Sequence, residues 1–177
     1  MPTTLLLPDL EALMTRVFKA EGASDLQASA TAKALTLAEA DGIPSHGAAR
    51  CPIYADQVAA GRVDPRAVPT VERPRAAVIR ADARSGFASP ALDAGLEAAF
   101  EILPETGAIA FSVGNSHHFG VAGHPVERAA ERGYVAIAFA NTPAAVAPWG
   151  GRKALYGTNP IAFACPRAGG TPPLVID

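Results

Sequence analysis

Four polar side chains crowd one short stretch of the sequence, in the order Ser45, His46, Arg50 and Tyr54. An imidazole can take up and release a proton near neutral pH. A guanidinium presents a planar fork of donors that fits a carboxylate bidentately. A serine hydroxyl next to the histidine would orient its ring. Together these groups suit reduction of a 2-oxo acid, in which the carboxylate must be held and the carbonyl oxygen protonated. If a helix begins near Ser45, then His46, Arg50 and Tyr54 follow at i, i+4 and i+8 and share one face. The plainer alternative is a serine capping a helix whose histidine and arginine lie on the surface.

A second group, Gly114-Asn115-Ser116-His117-His118-Phe119-Gly120 with Gly123 beyond it, joins an expected strand to an expected helix. Backbone amides at such a junction can bind phosphate, assisted by the helix N-terminus. The glycines allow close approach, and the histidines could meet a ligand oxygen. The alternative is a Gly/Asn turn with partly exposed histidines. Adjacent histidines with no acid or cysteine at ligand spacing make a poor metal site, so none is expected. A third stretch runs from Asn141-Thr142-Pro143 through Pro148-Trp149-Gly150-Gly151 to Tyr156-Gly157-Thr158-Asn159-Pro160. Long loops inside compact domains tend to be functional; the alternative is a crossover with Trp149 filling the core. No GxGxxG, no Walker-type GxxxxGK[ST] and no GxSxG occurs, which argues against a Rossmann dinucleotide site, a P-loop or a nucleophile elbow.

These segments need elements to carry them. Apolar residues Leu10, Leu13, Met14, Val17 and Phe18 recur at helical spacing up to Gly22. Ser24 with Gln27 has the form of a capping box, opening a helix to about Asp41. A third helix is expected from near Ser45 to Gly61, kinked or split by Pro52. Beyond Asp64-Pro65 the pattern changes to a strand at Ala76–Ala81, a helix at Ser85–Phe100 and short apolar runs at 108–113, 134–140 and 161–164, with a helix at about Ala122–Arg132. Leu174–Ile176 begins another strand. A boundary is placed near Asp64–Pro74. A strand that enters the core and stops at Asp177 reads as a chain cut short.

The 177 residues are 49% hydrophobic and 18% charged, which excludes a disordered chain. A formal net charge of -2 with scattered basic residues gives no footprint for nucleic acid or a membrane surface. The opening MPTTLLLPDLEAL has neither basic leader nor long apolar core, and no run approaches the roughly 20 residues that span a bilayer. Two isolated cysteines, Cys51 and Cys165, form no disulfide framework and read as buried, reduced thiols. A cytoplasmic setting follows.

Taken together, DGIPSHGAARCPIYADQVAAGRV (Asp41–Val63), GNSHHFGVAG (Gly114–Gly123), and NTPAAVAPWGG with YGTNPIAFACP resemble the type 2 malate/L-lactate dehydrogenase family, in order and spacing and over nearly the whole chain. That family comprises malate, lactate, ureidoglycolate and sulfolactate dehydrogenases, diketogulonate reductase and reductases of cyclic imino acids. The resemblance implies an α/β fold of α+β character, with a helical domain over residues 1–68 and a partial, non-Rossmann mixed-sheet nicotinamide-binding domain over 69–177. It implies NAD or NADP as cofactor, a small carboxylate substrate and a homodimer with its site in a cleft between domains. Carried over by motif, His46 is the proton donor with Ser45 in its relay, and Arg50 holds the substrate carboxylate. His118, Phe119, Gly120, Val121 and Ala122 line the cofactor, His118 being also an acid/base candidate. Thr158 lies near substrate, and Asp177 begins a cofactor-contacting strand. Family chains continue well past this point. The expected activity is interconversion of a small 2-hydroxy acid and its 2-oxo acid, with details closest to the sulfolactate branch. The alternatives are reduction of pyrroline- or piperideine-2-carboxylate, and a non-catalytic truncated remnant.

Overall fold

The computed structural model describes residues 4–177, so the first three residues of the opening segment and of the 1–68 helical domain lie outside it. The chain forms two compact units, one ending at Gly120 and the other spanning Val121–Asp177. The composition change near residues 64–74 marks the passage from helices to strands inside the first unit.

Helices α1 (Leu7–Ala20) and α2 (Asp25–Ala40) pack as a pair, with Met14, Phe18, Ala28, Ala32 and Leu35 in their shared core. Gly22, at φ +92°, supplies the left-handed turn between them. Only half of the expected capping box forms. Ser24 Oγ accepts from the Gln27 amide at 3.3 Å, but the Gln27 side chain does not return to the cap. It is fully buried instead, donating to the Ala67 carbonyl at 2.7 Å and accepting from the Phe87 amide at 2.9 Å. Two distant backbone groups outcompete one local one.

The expected helix from Ser45 to Gly61 is divided. Pro44–His46 is a single 3-10 turn, and α3 runs only from Arg50 to Ala59. Pro52 therefore sits in the first turn of α3, where an amide has no helical partner to lose, and causes no kink. His46 is consequently not on a common helical face with Arg50 and Tyr54.

A three-stranded sheet follows in the order β1 (Thr70–Arg75), β2 (Val78–Asp82), β3 (Ala110–Gly114), antiparallel between the first two and parallel between the last two. Strand β1 falls in the segment read as a boundary. Its six residues are all exposed, so no apolar alternation announces it, and Pro74 is accommodated by a register shift between Glu72 and Arg75. Helix α4 (Ala88–Thr106) joins β2 to β3 and runs six residues past the expected end, closing at Gly107 with φ +70°. Gly95 lets α4 press onto β3: a Cβ there would fall 2.2 Å from the Phe111 ring.

In the second unit, α5 (Gly123–Glu131) covers one face of the antiparallel sheet β4 (Ala136–Phe139), β5 (Ile161–Cys165), β6 (Leu174–Ile176). Ala162 and Ala164 are buried on β5, while Ile137, Phe139 and Ile161 are exposed. These apolar runs are thus half-buried strands. Trp149 is fully exposed and fills no core. Neither cysteine is in a disulfide; Cys51 is buried, with its thiol pKa raised by desolvation, and Cys165 is only half-buried. No helix among the described residues is long and apolar enough to cross a membrane.

Candidate active site

The 3-10 turn and the start of α3 are tied to α2 and to each other. Glu39 Oε1, on α2, accepts from the Ala48 amide at 2.7 Å. Gly47 leaves room for that carboxylate, since a Cβ would meet the Glu39 side chain and displace it. Ser45 engages both neighbours: its Oγ lies 3.1 Å from His46 Nδ1, and its carbonyl accepts from Arg50 Nε at 2.7 Å. Arg50 and His46 are thereby held together even though they occupy different elements.

His117 and His118 arrive from the end of β3 through a pinned turn. Asp82, at the end of β2, accepts from the Arg84 amide at 2.7 Å and from Asn115 Nδ2 at 3.0 Å. Those two bonds, the backbone one first, hold its carboxyl below the usual range. Asn115 adopts φ +48° and its carbonyl accepts from the Ser85 amide at 2.7 Å. The His117 amide donates to the Gly86 carbonyl at 3.0 Å.

The two histidines then part company. His117 turns inward, edge-on to Tyr54 and Phe87 at centroid distances of 4.9 and 5.8 Å. Its Nδ1 is buried with no partner among the described residues, and burial lowers its pKa. His118 faces the 3-10 turn, its ring 5.5 Å from that of His46 at an interplanar angle of 30°. Tyr54 lies between core and site, stacked 5.5 Å from Phe87, with its hydroxyl 2.6 Å from His118 Nδ1. One side of His118 is open to solvent. Desolvation of the other, then Arg50, His46 and His117, push its pKa down to about 4. The open side tempers that shift, but the direction leaves the ring neutral at pH 7. The buried Tyr54 phenol is pushed up to about 12, desolvation outweighing the opposing pull of Arg50. Asp82 and the Tyr54–His118 link have no sequence signature; they join residues 33 and 64 positions apart.

The remaining candidates are spread over the two units. Phe119 and Gly120 close the first, both half-buried. Val121 and Ala122 open the second with buried side chains, so any contact they make with a ligand passes through backbone. Asp177 Oδ2 accepts from the Gly123 amide at 2.8 Å, placing a carboxylate on the α5 N-terminus. The phosphate expected at this junction fits poorly, because that amide is taken and the carboxylate repels an anion. Thr158 is stapled to Thr142: its amide donates to Thr142 Oγ1 at 2.8 Å, and the Thr142 amide donates to Asn159 Oδ1 at 3.0 Å. Gly157 permits this approach, since a Cβ would meet the Thr142 carbonyl at 2.4 Å.

A nicotinamide needs donors for its carboxamide and backbone bare of side chains. A neutral His118 ring could offer one such donor, and an added Cβ at Gly114 or Gly120 would meet open space within 4 Å. Among the described residues no three metal-ligating side chains come together.

Comparison with known proteins gives this arrangement of a histidine- and arginine-bearing turn and a mixed sheet a family. Residues 7–177 match the malate/L-lactate dehydrogenase family, and the chain belongs to it. It is 52% identical over 97% of its length to (2R)-3-sulfolactate dehydrogenase (NADP(+)) of Chromohalobacter salexigens, covering 51% of that protein. To the Delta(1)-pyrroline-2-carboxylate/Delta(1)-piperideine-2-carboxylate reductase of Pseudomonas syringae pv. tomato it is 42% identical, over 96% of this chain and 49% of the relative. The crystal structure of delta1-piperideine-2-carboxylate reductase from the same organism superposes with a TM-score of 0.91 at 41% identity, over 98% of this chain and 52% of that one. The chain thus spans about half the length of the curated relatives it matches.

Proposed function

We propose that this chain carries the acid-holding and proton-transferring part of an NAD(P)-dependent oxidoreductase that interconverts a small 2-hydroxy acid and its 2-oxo acid. The supporting observation is the cluster in the first unit: two imidazoles 5.5 Å apart, with Arg50 linked through the Ser45 carbonyl to the same turn. NAD(P)H, when bound, would supply the hydride that the carbonyl carbon accepts. Arg50 holds the substrate carboxylate with the nitrogens of its fork not committed to Ser45. Ser45 orients His46 at Nδ1, so that His46 passes its proton to the carbonyl oxygen through Nε2. His118 donates a hydrogen bond to a ligand oxygen. Residues 1–68 and 69–177 then serve as acid-holding and cofactor-binding domains of a cytoplasmic homodimer.

A 3-sulfolactate-type acid with NADP is favoured by the 52% relative, whose name carries both. The second reading is reduction of a cyclic imino acid, in which the proton goes to the ring nitrogen and the hydride to the adjacent carbon. The 42% relative supports it. The test follows nicotinamide absorbance with 3-sulfopyruvate, oxaloacetate, pyruvate and piperideine-2-carboxylate. It is run with NADPH and NADH on the 177-residue chain and on a protein of the relatives' full length containing it. Fastest turnover with the sulfonated acid upholds the first reading and with the imine the second; turnover in the longer protein alone makes this chain a non-catalytic part. No hydride transfer by either protein to any substrate overturns the proposal. Light scattering tests the dimer.

A further inference from the structure

We propose that Tyr54 is a positioning residue whose hydroxyl donates to His118 Nδ1, fixing the imidazole as the Nε2–H tautomer so that it serves as a neutral donor rather than a shuttling acid. The inference rests on the oxidoreductase reading only for what His118 finally touches.

The 2.6 Å contact by itself allows either atom to donate. The surroundings of Tyr54 decide. It is 4% exposed, and no described residue other than His118 lies within hydrogen-bonding reach of its hydroxyl. If Nδ1 carried the proton, the phenol would have to accept from it and its own O–H would have no acceptor among the described residues, an arrangement folded proteins avoid. If the phenol donates to a bare Nδ1, both groups are satisfied. Ionisation of the phenol would remove the donor, and desolvation opposes it across the physiological range.

Protonation of His118 would require Nδ1 to become a donor and the phenol to surrender its acceptor. The charged groups around the ring act in the same direction: Arg50 from α3, His46 from the 3-10 turn and His117 beside it all disfavour a second positive charge. Tyr54 is itself immobilised by stacking on Phe87, whose amide is gripped by Gln27. The chain of support therefore runs from the α2 core to the tautomer of an imidazole. What emerges is a division of labour, with proton transfer at position 46 and a fixed N–H at position 118, suited to a carboxamide or carboxylate oxygen.

The experiment is two-bond proton–nitrogen correlation NMR of the ¹⁵N-labelled 177-residue chain, with His118 assigned by its loss in His118→Asn. The expected wild-type spectrum shows a protonated Nε2 and a bare Nδ1, unchanged down to about pH 5. In Tyr54→Phe, which keeps the ring packing, the tautomers mix and the midpoint rises by about one unit or more. A wild-type Nδ1–H form overturns the proposal, as does a Tyr54→Phe spectrum with unaltered tautomer and midpoint. Should Tyr54→Phe unfold, the wild-type spectrum decides alone. No turnover is needed, so absence of hydride transfer would count against the oxidoreductase reading and leave this result intact.

Discussion

Ser45 bridges two candidates for chemistry, reaching His46 with its side chain and Arg50 with its carbonyl. Replacing His46 by Ala would remove the proton donor while leaving the carboxylate clamp. Turnover should fall about 10²–10⁴-fold with little change in acid affinity, as measured by steady-state kinetics on whichever protein containing this chain transfers hydride. An unaltered rate would deny His46 that part. Arg50→Lys should raise the KM for acid substrates roughly tenfold or more, because an ammonium cannot bond Ser45 and also present a planar fork; neutral analogues should be spared. The sequence set His46 and Arg50 side by side as candidates because the motif is short and both lie on it. It did not show Tyr54 as the partner of His118, since a bond across 64 positions leaves no local pattern. Nor could it say that of two adjacent histidines one would turn inward against Tyr54 and Phe87.

Helices and strands were readable where burial is one-sided and periodic. Helices α1, α2 and α5 and strands β3 to β6 fall close to the expected segments. Where tertiary contacts overrule local preference, the reading failed. The residues between His46 and Arg50 form turns because Glu39 captures the Ala48 amide, and exposed β1 is held by pairing rather than by an apolar face. Gln27 is the clearest instance, a capping residue diverted to bind two distant backbone groups. Gln27→Leu would fill the space but strand the Ala67 carbonyl and Phe87 amide. It should cost roughly 2–4 kcal/mol in urea unfolding, and a loss below about 0.5 kcal/mol would show those groups finding other partners.

For the molecule as one thermodynamic system, the depressed pKa values of His117 and His118 have a signed consequence. Unfolded, each imidazole protonates near its ordinary value of about 6.5; folded, each resists. Between about pH 6.5 and 4 the unfolded chain binds more protons. Their contribution is therefore complete above 6.5 and drains away as pH falls through that window. The melting temperature should drop from pH 7 to pH 4.5, and His118→Asn should flatten the slope. A wild-type profile level over that range would contradict the partial desolvation of these imidazoles. Asp82 acts in the same sense, but only in the carboxylate range. One more property comes with the loop between β4 and β5. Trp149 is the chain's single tryptophan and stands wholly in water. The protein therefore carries an intrinsic fluorophore on that loop, its emission set by solvent. Any molecule that settles over the indole announces itself as a change in colour and brightness, without a label.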